Sequence, residues 1–348
     1  MKWLETTLET PAGSEKAVAP EVISASRSTD IPAFYAKWFM NRLRQGFVKW
    51  VNPFNQRRQY VSFKNARVIV FWSKNPKPLM QFLPEIEERR IAYYFHFTLN
   101  DYEAENLEPG VPPISERIAT FQALSSRIGK DRVIWRFDPL ILTGSITVPM
   151  LLEKIKRVGD EIAPFTTKLV FSFADIRPYR KVQNNLRRAG FSYTDFTTET
   201  MAEAASGISR LCKDWGIVGS TCAEPTSFAQ FGITHNHCID DTLILRITGN
   251  SPDLGRLFGA DLSVRKDLFA APWEPGFPPL KTKDPGQRPE CGCVFSKDIG
   301  QYNTCPHLCV YCYANTSENL VKRNALCATD SAETIVSNPV PDPDPVAD

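Results

Sequence analysis

Three cysteines near the end of the sequence have the spacing of a metal-binding loop. Cys305, Cys309 and Cys312 lie in the segment C-P-H-L-C-V-Y-C-Y-A, at C-x3-C-x2-C spacing and with tyrosines on both sides of the third cysteine. Cysteine thiolates are the usual protein ligands of iron–sulfur clusters. Three thiolates would bind three irons of a 4Fe–4S cube and leave the fourth iron open to a small chelating molecule.

Zinc is the alternative that this spacing leaves open. A structural zinc site closes with four ligands, so the three cysteines are one ligand short. Cys291 or Cys293 could supply the fourth ligand, whereas His307 lies awkwardly inside the first gap of the motif. The spacing by itself favours a cluster over zinc.

Four further cysteines are candidates for a second metal site, either an auxiliary 4Fe–4S cluster or zinc. They are Cys222, Cys238, Cys291 and Cys293. His235 and His237 are possible substitute ligands. The alternative is that the two isolated cysteines of this set are small buried apolar residues. Cys212 and Cys327 are expected to be plain thiols.

Six near-continuous apolar runs predict strands that are buried on both faces, as in parallel sheets. The runs are residues 21–26, 67–72, 91–99, 132–137, 168–173 and 217–221. Between them, residues 114–124 and 148–158 repeat apolar side chains at intervals of three and four, which predicts helices. The alternation predicts an α/β fold, with a (β/α) barrel or a doubly wound sheet as the options.

Polar side chains follow each predicted strand, where the loops of parallel α/β folds build an active site. Taken singly, such residues could instead end strands, cap helices or complete internal salt bridges. The candidates from these strand ends and turns are Ser28, Thr29, Asp30, Lys74, His96, Arg136, Asp138 and Ser172.

The cysteine segment resembles the cluster motif of the radical S-adenosylmethionine (SAM) superfamily, C-x3-C-x-aromatic-C. It is most similar to the branch that includes spore photoproduct lyase, which shares a C-x-H-x-C-x-Y-C-Y-A form. The segment L-E-P-G-V-P at 107–112 and the turns at 28–32 and 73–76 resemble parts of the same branch. The order of C-x-C, S-K-D-I-G-Q-Y-N-T-C and the triplet is also similar to a family catalogued as a domain of unknown function.

The resemblance implies a radical SAM enzyme. The triplet would hold a 4Fe–4S cluster, SAM would chelate the open iron, and its reductive cleavage would give a 5′-deoxyadenosyl radical that abstracts hydrogen from a substrate. A flavodoxin or ferredoxin would act as the reductant.

The same resemblance implies roles for particular residues. Tyr311 and Tyr313 would lie by the adenine of SAM, and Ser28, Thr29 and Asp30 would lie near its methionine end. Ser172 and Asn315 are further candidates for cofactor binding, and the catalytic candidates are Lys74, His96, Arg136 and Asp138. Lys74 and Arg136 could also pair with the SAM carboxylate.

The position of the triplet departs from the superfamily pattern, in which the motif follows the first strand. Circular permutation reconciles the two, because chains whose termini lie close together at the surface tolerate it. It predicts that residues 294–304 form a strand beside residues 21–26. The expected fold is therefore a partial, permuted (β/α) TIM-like barrel; the alternative is a ferredoxin-like appendage on an unrelated barrel.

The expected organisation has five parts. They are an N-terminal extension (1–20), the barrel (21–248), a connecting segment (249–290), a cluster-binding segment that completes the barrel (291–325) and a disordered tail (326–348).

The charge distribution adds one hint about partners. From Arg27 to Arg90 there are 13 Lys or Arg residues and 4 acids, although the net charge of the whole chain is only +2. Such a stretch can attract phosphates, which is compatible with a nucleic acid or phosphate-bearing substrate; a solvated helix surface is the alternative. The competing functional class is a non-enzymatic zinc or iron–sulfur module that binds nucleic acid.

No apolar run approaches the roughly 20 residues of a membrane span, so a cytoplasmic protein without a membrane partner is expected.

Overall fold

The computed structural model describes residues 3–10, 13–259 and 283–337. Its strands are β1 (Glu5–Thr10), β2 (Gly13–Val18), β3 (Val22–Ala25), β4 (Phe47–Val51), β5 (Arg58–Ser62), β6 (Val68–Ser73), β7 (Ala92–Thr98), β8 (Val133–Leu140), β9 (Leu142–Thr143), β10 (Lys168–Phe173), β11 (Tyr193–Thr194), β12 (Val218–Thr221), β13 (Thr234–His235) and β14 (Lys297–Asp298). Its helices are α1 (Ile31–Phe34), α2 (Ala36–Gln45), α3 (Lys77–Met80), α4 (Leu83–Glu88), α5 (Ile114–Ile128), α6 (Val148–Ile162), α7 (Arg180–Arg188), α8 (Thr198–Trp215), α9 (Asp241–Ile247), α10 (Pro252–Phe258) and α11 (Glu318–Leu326).

An eight-stranded sheet forms the centre of the structure. Its order is β13-β12-β10-β8-β7-β6-β3-β14, and every neighbouring pair runs parallel. Six of these strands fall on the six apolar runs, so the prediction of a parallel α/β sheet is confirmed. Within the described residues, the edge strands β13 and β14 do not pair with each other. In the described part of the chain the sheet is therefore open between these edges, and no closed barrel is seen.

The apolar runs bury both faces of the sheet because successive side chains of a strand point to opposite sides. In β6, Ile69 and Phe71 pack into a large core on the face covered by α2, α5, α6 and α8. Val68 and Val70 point to the other face, called here the inner face, where Ile244 and other residues of α9 and α10 cover them. The inner face also contains Cys238, Cys291 and Cys293.

The expected strand beside residues 21–26 is present, although it is short. β14 pairs with β3 in parallel, with Lys297 opposite Ile23 and Asp298 opposite Ser24. Because both strands run the same way, the cysteine loop that follows β14 begins at the carboxyl end of the sheet, next to the turn that follows β3.

A second sheet was not predicted. It has the order β1-β2-β5-β4, and its strands β1 and β2 lie within residues 1–20, which were expected to be an N-terminal extension. In β1, partly buried and exposed side chains alternate, so its sequence lacks the continuous apolar run that marked the central strands.

The segments expected to be a connection and a disordered tail are partly ordered. α10 occupies the start of the 249–290 segment, and 260–282 lie outside the described residues. In the 326–348 segment, the carbonyl of Ala332 accepts a hydrogen bond from Trp38 Nε1 at 2.9 Å, and that of Glu333 accepts one from Lys49 N at 2.8 Å. Ile335 and Val336 are buried. Residues 338–348 again lie outside the described part.

No helix in the described ranges combines the length and the apolar character needed to cross a membrane.

Candidate functional site

The cysteine loop is held against the segment that precedes α5. Gly110 N donates to the carbonyl of His307 at 2.9 Å, and Val310 N donates to that of Leu107 at 3.0 Å. Gly110 permits this close approach, since a Cβ at this position would lie 2.2 Å from the carbonyl oxygen of Pro306. The L-E-P-G stretch and the triplet, which resemble parts of one family, are therefore in direct contact.

Asp30 connects the turns after β3 and β6 to the cysteine loop. One carboxylate oxygen accepts from Ser73 Oγ at 2.8 Å, and the other accepts from Lys74 N at 2.7 Å. His307 Nε2 lies 2.7 Å from the second oxygen, and His307 Nδ1 lies 3.2 Å from the carbonyl oxygen of Gly110. Both ring nitrogens of His307 thus have oxygen partners, so neither is free to bind a metal.

The three thiols of the triplet lie in a buried environment. Burial raises the pKa of Cys305 to about 12, and the nearby Asp30 adds to the effect. Burial also raises the pKa of Cys309 and Cys312, against an opposing effect of Lys74. Without a metal the thiols are protonated at neutral pH, and metal binding would have to displace those protons.

Asn315 supports the same loop from its far end. Its Nδ2 donates to the carbonyl of Cys305 at 2.9 Å. Its Oδ1 is buried and has no hydrogen-bond partner among the described residues. A buried acceptor without a donor is unusual, and here it leaves a hydrogen-bonding position beside the triplet.

A buried ionic network lies under Tyr311. Lys74 Nζ is 2.7 Å from Glu108 Oε1 and donates to Tyr311 Oη at 3.0 Å. Asn100 Nδ2 and Tyr311 Oη also donate to Glu108 Oε1, and Arg117 Nη1 lies 3.7 Å from Oε2. Burial would raise the pKa of Glu108, but Lys74 and Arg117 hold it below its usual value. Lys74 is therefore satisfied internally, which was the alternative to pairing with a ligand.

Thr29 and Tyr313 connect the turn after β3 to residues 304–313, whereas the side-chain partner of Ser28 lies within that turn. Thr29 Oγ1 hydrogen-bonds to Thr304 Oγ1. Tyr313 Oη donates to the carbonyl of Arg27 at 2.7 Å while 44% of the residue stays exposed. Ser28 Oγ lies 3.1 Å from Ser26 Oγ in the same turn. The structure thus brings residues 28–30, the tyrosines and Asn315 together around the triplet.

The remaining polar candidates contact Cys238 or one another. Arg136 Nη2 pairs with Asp138 Oδ2 at 2.6 Å, and Ser172 Oγ donates to Asp138 Oδ1. His96 Nε2 donates to the carbonyl of Cys238 at 2.7 Å. Burial and the charge of Arg136 hold the pKa of His96 well below its usual value. Arg136 is thus also in an internal ion pair.

The second set of cysteines gathers on the inner face. Cys222 Sγ and Cys238 Sγ are 3.4 Å apart, and Cys293 Sγ accepts from Ile239 N at 3.3 Å. Cys238 lowers the pKa of the Cys293 thiol, while Cys291 and burial raise it, to about 11 overall. Cys291 and Cys293 therefore lie with this second set, and neither completes a zinc site at the triplet.

Neither set is already arranged around a single ion. Across residues 3–10, 13–259 and 283–337, no three His, Cys, Asp or Glu side chains have the geometry to hold a metal ion.

Sequence reasoning missed several residues of these networks, chiefly Glu108, Asn100, Arg117 and Arg27. Glu108 stands in the L-E-P-G stretch that carries the family resemblance, and Asn100 follows the predicted strand at 91–99; the sequence gives the positions of these two residues but not their partners. The role of His307 as the partner of Asp30 was also missed, although its place between two cysteines was noted.

The fold and the site define an α/β protein with an open, eight-stranded parallel sheet and two sets of cysteines. The chain belongs to the family described as a domain of unknown function, DUF1848, whose model matches residues 22–314. No curated protein matches the chain. Among solved structures it is similar to a candidate alpha-L-fucosidase from Bacteroides thetaiotaomicron VPI-5482, with 10% identity and a TM-score of 0.23, over 57% of this chain and 85% of that one. A likeness of this size does not bear on function.

Proposed function

We propose that this protein is a radical SAM enzyme in which Cys305, Cys309 and Cys312 hold a 4Fe–4S cluster. The observation that carries the proposal is the placement of a three-thiol loop at the carboxyl end of a parallel sheet, with no fourth Cys or His ligand beside it among the described residues. His307 is bound to Asp30 and the Gly110 carbonyl, and Cys291 and Cys293 lie with the other cysteine set. A donor set of three thiolates suits a cluster that keeps one iron for a small ligand.

The residues around the loop fit such a cofactor. Asp30 and His307 fix the loop from the β3 side, and the Lys74–Glu108 pair fixes Tyr311 from the other side. The unpartnered Oδ1 of Asn315 can accept a hydrogen bond from a bound molecule. A cluster held by Cys305, Cys309 and Cys312 would supply one electron for the cleavage of SAM into methionine and a 5′-deoxyadenosyl radical that could abstract hydrogen from a substrate.

The proposed roles of the polar residues follow from their partners. Ser28 and Thr29 remain the candidates for the methionine end of SAM, and the half-exposed Tyr313 for its adenine. Lys74 and Arg136 would have to leave buried ion pairs to reach a ligand, at a cost of several kcal/mol. We therefore assign them a positioning role.

We further propose that the sheet is a partial, circularly permuted TIM-like barrel. Apart from β14, the strands of the sheet follow one another in chain order from β3 to β13. β14 comes last in the chain but lies beside β3, where the first strand of an unpermuted chain would lie. This arrangement supports permutation over a separate appendage.

The test compares two cysteine variants after anaerobic purification and reconstitution with iron and sulfide. The reduced wild-type protein is expected to produce 5′-deoxyadenosine from SAM. Cys309→Ser should lose this activity and the iron bound at the triplet. Cys327→Ser, which changes an exposed thiol, should retain the activity and the iron.

Two results would contradict the proposal. Stoichiometric zinc with no iron at the triplet would rule out the cluster. A reconstituted cluster that never cleaves SAM would favour a non-enzymatic iron–sulfur module, and binding to nucleic acid would then be the next property to measure. A substrate search would start from phosphate-bearing molecules and nucleic acids because of the basic stretch at 27–90.

A further inference from the structure

Four thiols that are distant in sequence converge on the inner face of the sheet. Cys222 follows β12 directly, and Cys238 follows β13. Cys291 and Cys293 come from the segment that leads into β14, at the opposite edge of the sheet. All four are free thiols, and the Sγ atoms of Cys222 and Cys238 lie 3.4 Å apart. Ordinary apolar packing would not require four thiols from three parts of the chain to share one place.

The surroundings of these thiols supply hydrogen-bond donors to sulfur. Arg136 Nη1 donates to Cys238 Sγ at 3.0 Å, and Asn236 Nδ2 donates to the same atom at 3.3 Å. Ile239 N donates to Cys293 Sγ at 3.3 Å. Sulfur is a weak acceptor when it is a thiol, whereas N–H donors directed at a ligand atom are a regular feature of the shell around a metal centre.

A second arginine beside the thiols lacks a full set of partners. The guanidinium of Arg27 stacks on Trp72, with its Cζ 5.2 Å from the ring centroid, and its Nη2 is buried without a hydrogen-bond partner among the described residues. Asp298 and the thiols of Cys293 and Cys238 are its charged or ionisable neighbours. Burying a cation is costly unless it is paired. Thiolates held by a metal would give Arg27 further anionic neighbours besides Asp298.

We propose that Cys222, Cys238, Cys291 and Cys293 bind one Zn²⁺ ion in a closed, tetrahedral, structural site. This inference does not depend on the proposed radical SAM activity. Four Zn–S bonds of about 2.3 Å place neighbouring sulfurs about 3.8 Å apart, so the observed 3.4 Å is short by only a few tenths of an ångström. Small side-chain rotations would create the site. The same rotations would turn thiols that hydrogen-bond to each other into ligands of one ion.

A single ion suits these cysteines better than a second cube. A cluster of four irons holds its thiolates further apart than one ion does, and no hydrogen bond joins two thiols of the 305–312 loop in the described structure. The closeness of Cys222 and Cys238 sets them apart from that loop. A zinc ion here would fasten the segment before β14 to the loops after β12 and β13, and so link the two edges of the sheet.

The test removes the three thiols of the 305–312 loop, so that metal binding by the second set of cysteines can be measured alone. A full-length variant with Cys305, Cys309 and Cys312 all changed to Ser is stripped with a chelator and given Zn²⁺ alone. One zinc per chain is expected by elemental analysis, and Co²⁺ in its place should show the strong visible absorption of a tetrahedral thiolate site. Adding Cys238→Ser should abolish both signals, whereas adding Cys327→Ser should leave them unchanged.

The possible outcomes separate this inference from the proposed function. If the triple variant is purified with bound iron and sulfide, the second set holds an auxiliary cluster and the zinc proposal is wrong. If it binds no metal at all, the proposed site does not exist. If Cys238→Ser fails to fold, thiol labelling of the triple variant decides the question, because zinc should protect four of its remaining cysteines. Labelling that is the same with and without zinc would contradict the proposal. None of these results depends on whether the intact protein cleaves SAM.

Discussion

Glu108 is the carboxylate that Lys74, Arg117 and Tyr311 share beneath the cysteine loop. Its side chain is almost fully buried, as is that of Arg117. Removing one partner of a buried ionic group is costlier than never forming the group, because the remaining charges lose their counter-ion without regaining water. The stability of the site therefore depends on this residue more than on any surface ion pair.

We predict that Glu108→Gln lowers the free energy of unfolding by about 3–5 kcal/mol near neutral pH. Glu318→Gln is the matched control, since it removes an exposed i,i+4 pair with Lys322 and should cost no more than about 0.5 kcal/mol. Urea unfolding of the three proteins measures both effects. If both variants lost an equally small amount of unfolding free energy, the buried network would contribute little to stability.

The pH dependence of this difference has a defined sign. The folded-state pKa of Glu108 is held below its usual value, so its stabilising contribution is present above the pKa of the unfolded chain. That contribution is lost as the pH falls through the folded-state pKa. The gap between wild type and Glu108→Gln should therefore narrow below about pH 4.

At the scale of elements, the loop before α5 and the cysteine loop fit together through a single glycine. A Cβ on Gly110 would lie 2.2 Å from the Pro306 carbonyl oxygen and 2.9 Å from His307 Cα. Both are backbone atoms, which cannot rotate away as a flexible side chain would. One of the two loops must shift to admit a methyl group.

We predict that Gly110→Ala costs about 1–3 kcal/mol, the usual range for overpacking, and reduces the iron retained at the proposed cluster site. Gly144→Ala is the control, because the nearest atom to its added Cβ is Ser192 Oγ at 3.9 Å; its effect should stay within about 0.5 kcal/mol. Thermal unfolding and iron analysis would measure the two changes. Normal iron binding in Gly110→Ala would contradict the close fit inferred for the loops.

The central strands were predictable because their apolar runs report burial on both faces. β10 falls on the predicted residues, 168–173. β14 was predicted only through the family resemblance and permutation, since its two residues, Lys297 and Asp298, are both charged. Likewise, the sequence placed Lys74 at a strand end but could not show that Glu108 would pair with it, because that contact joins two loops and local patterns do not encode it. The Arg136–Asp138 pair is different: the two residues are two apart in β8 and so share one face of the strand.

At the scale of the whole molecule, the segment after α11 is part of the core. Ile335 and Val336 are buried in the main apolar cluster, and Gln301 hydrogen-bonds to both backbone groups of Val336. The second sheet, the α2 helix and the loop after β14 are therefore connected through residues that composition suggested were disordered. The proline and acidic residues that follow this short apolar pair made the whole segment resemble a disordered tail in composition.

We predict that Ile335→Ala lowers the free energy of unfolding by about 2–5 kcal/mol, as for other buried large-to-small changes. Leu326→Ala is the control, because Leu326 is 88% exposed and its loss should cost less than about 0.5 kcal/mol. Denaturant unfolding monitored by tryptophan fluorescence would compare them. If the two variants were equally stable, the segment would not belong to the cooperative core.

The short strand β14 has a consequence for the order of events during synthesis. The seven other strands of the parallel sheet leave the ribosome before it does, and the triplet follows it. Cys222 and Cys238 also emerge well before Cys291 and Cys293. Since chains begin to fold from the N-terminal side while they are being made, a nearly complete sheet would wait for its last strand. Both cysteine sets are thus completed late, so neither of the two proposed metal sites could be filled before the sheet is nearly complete.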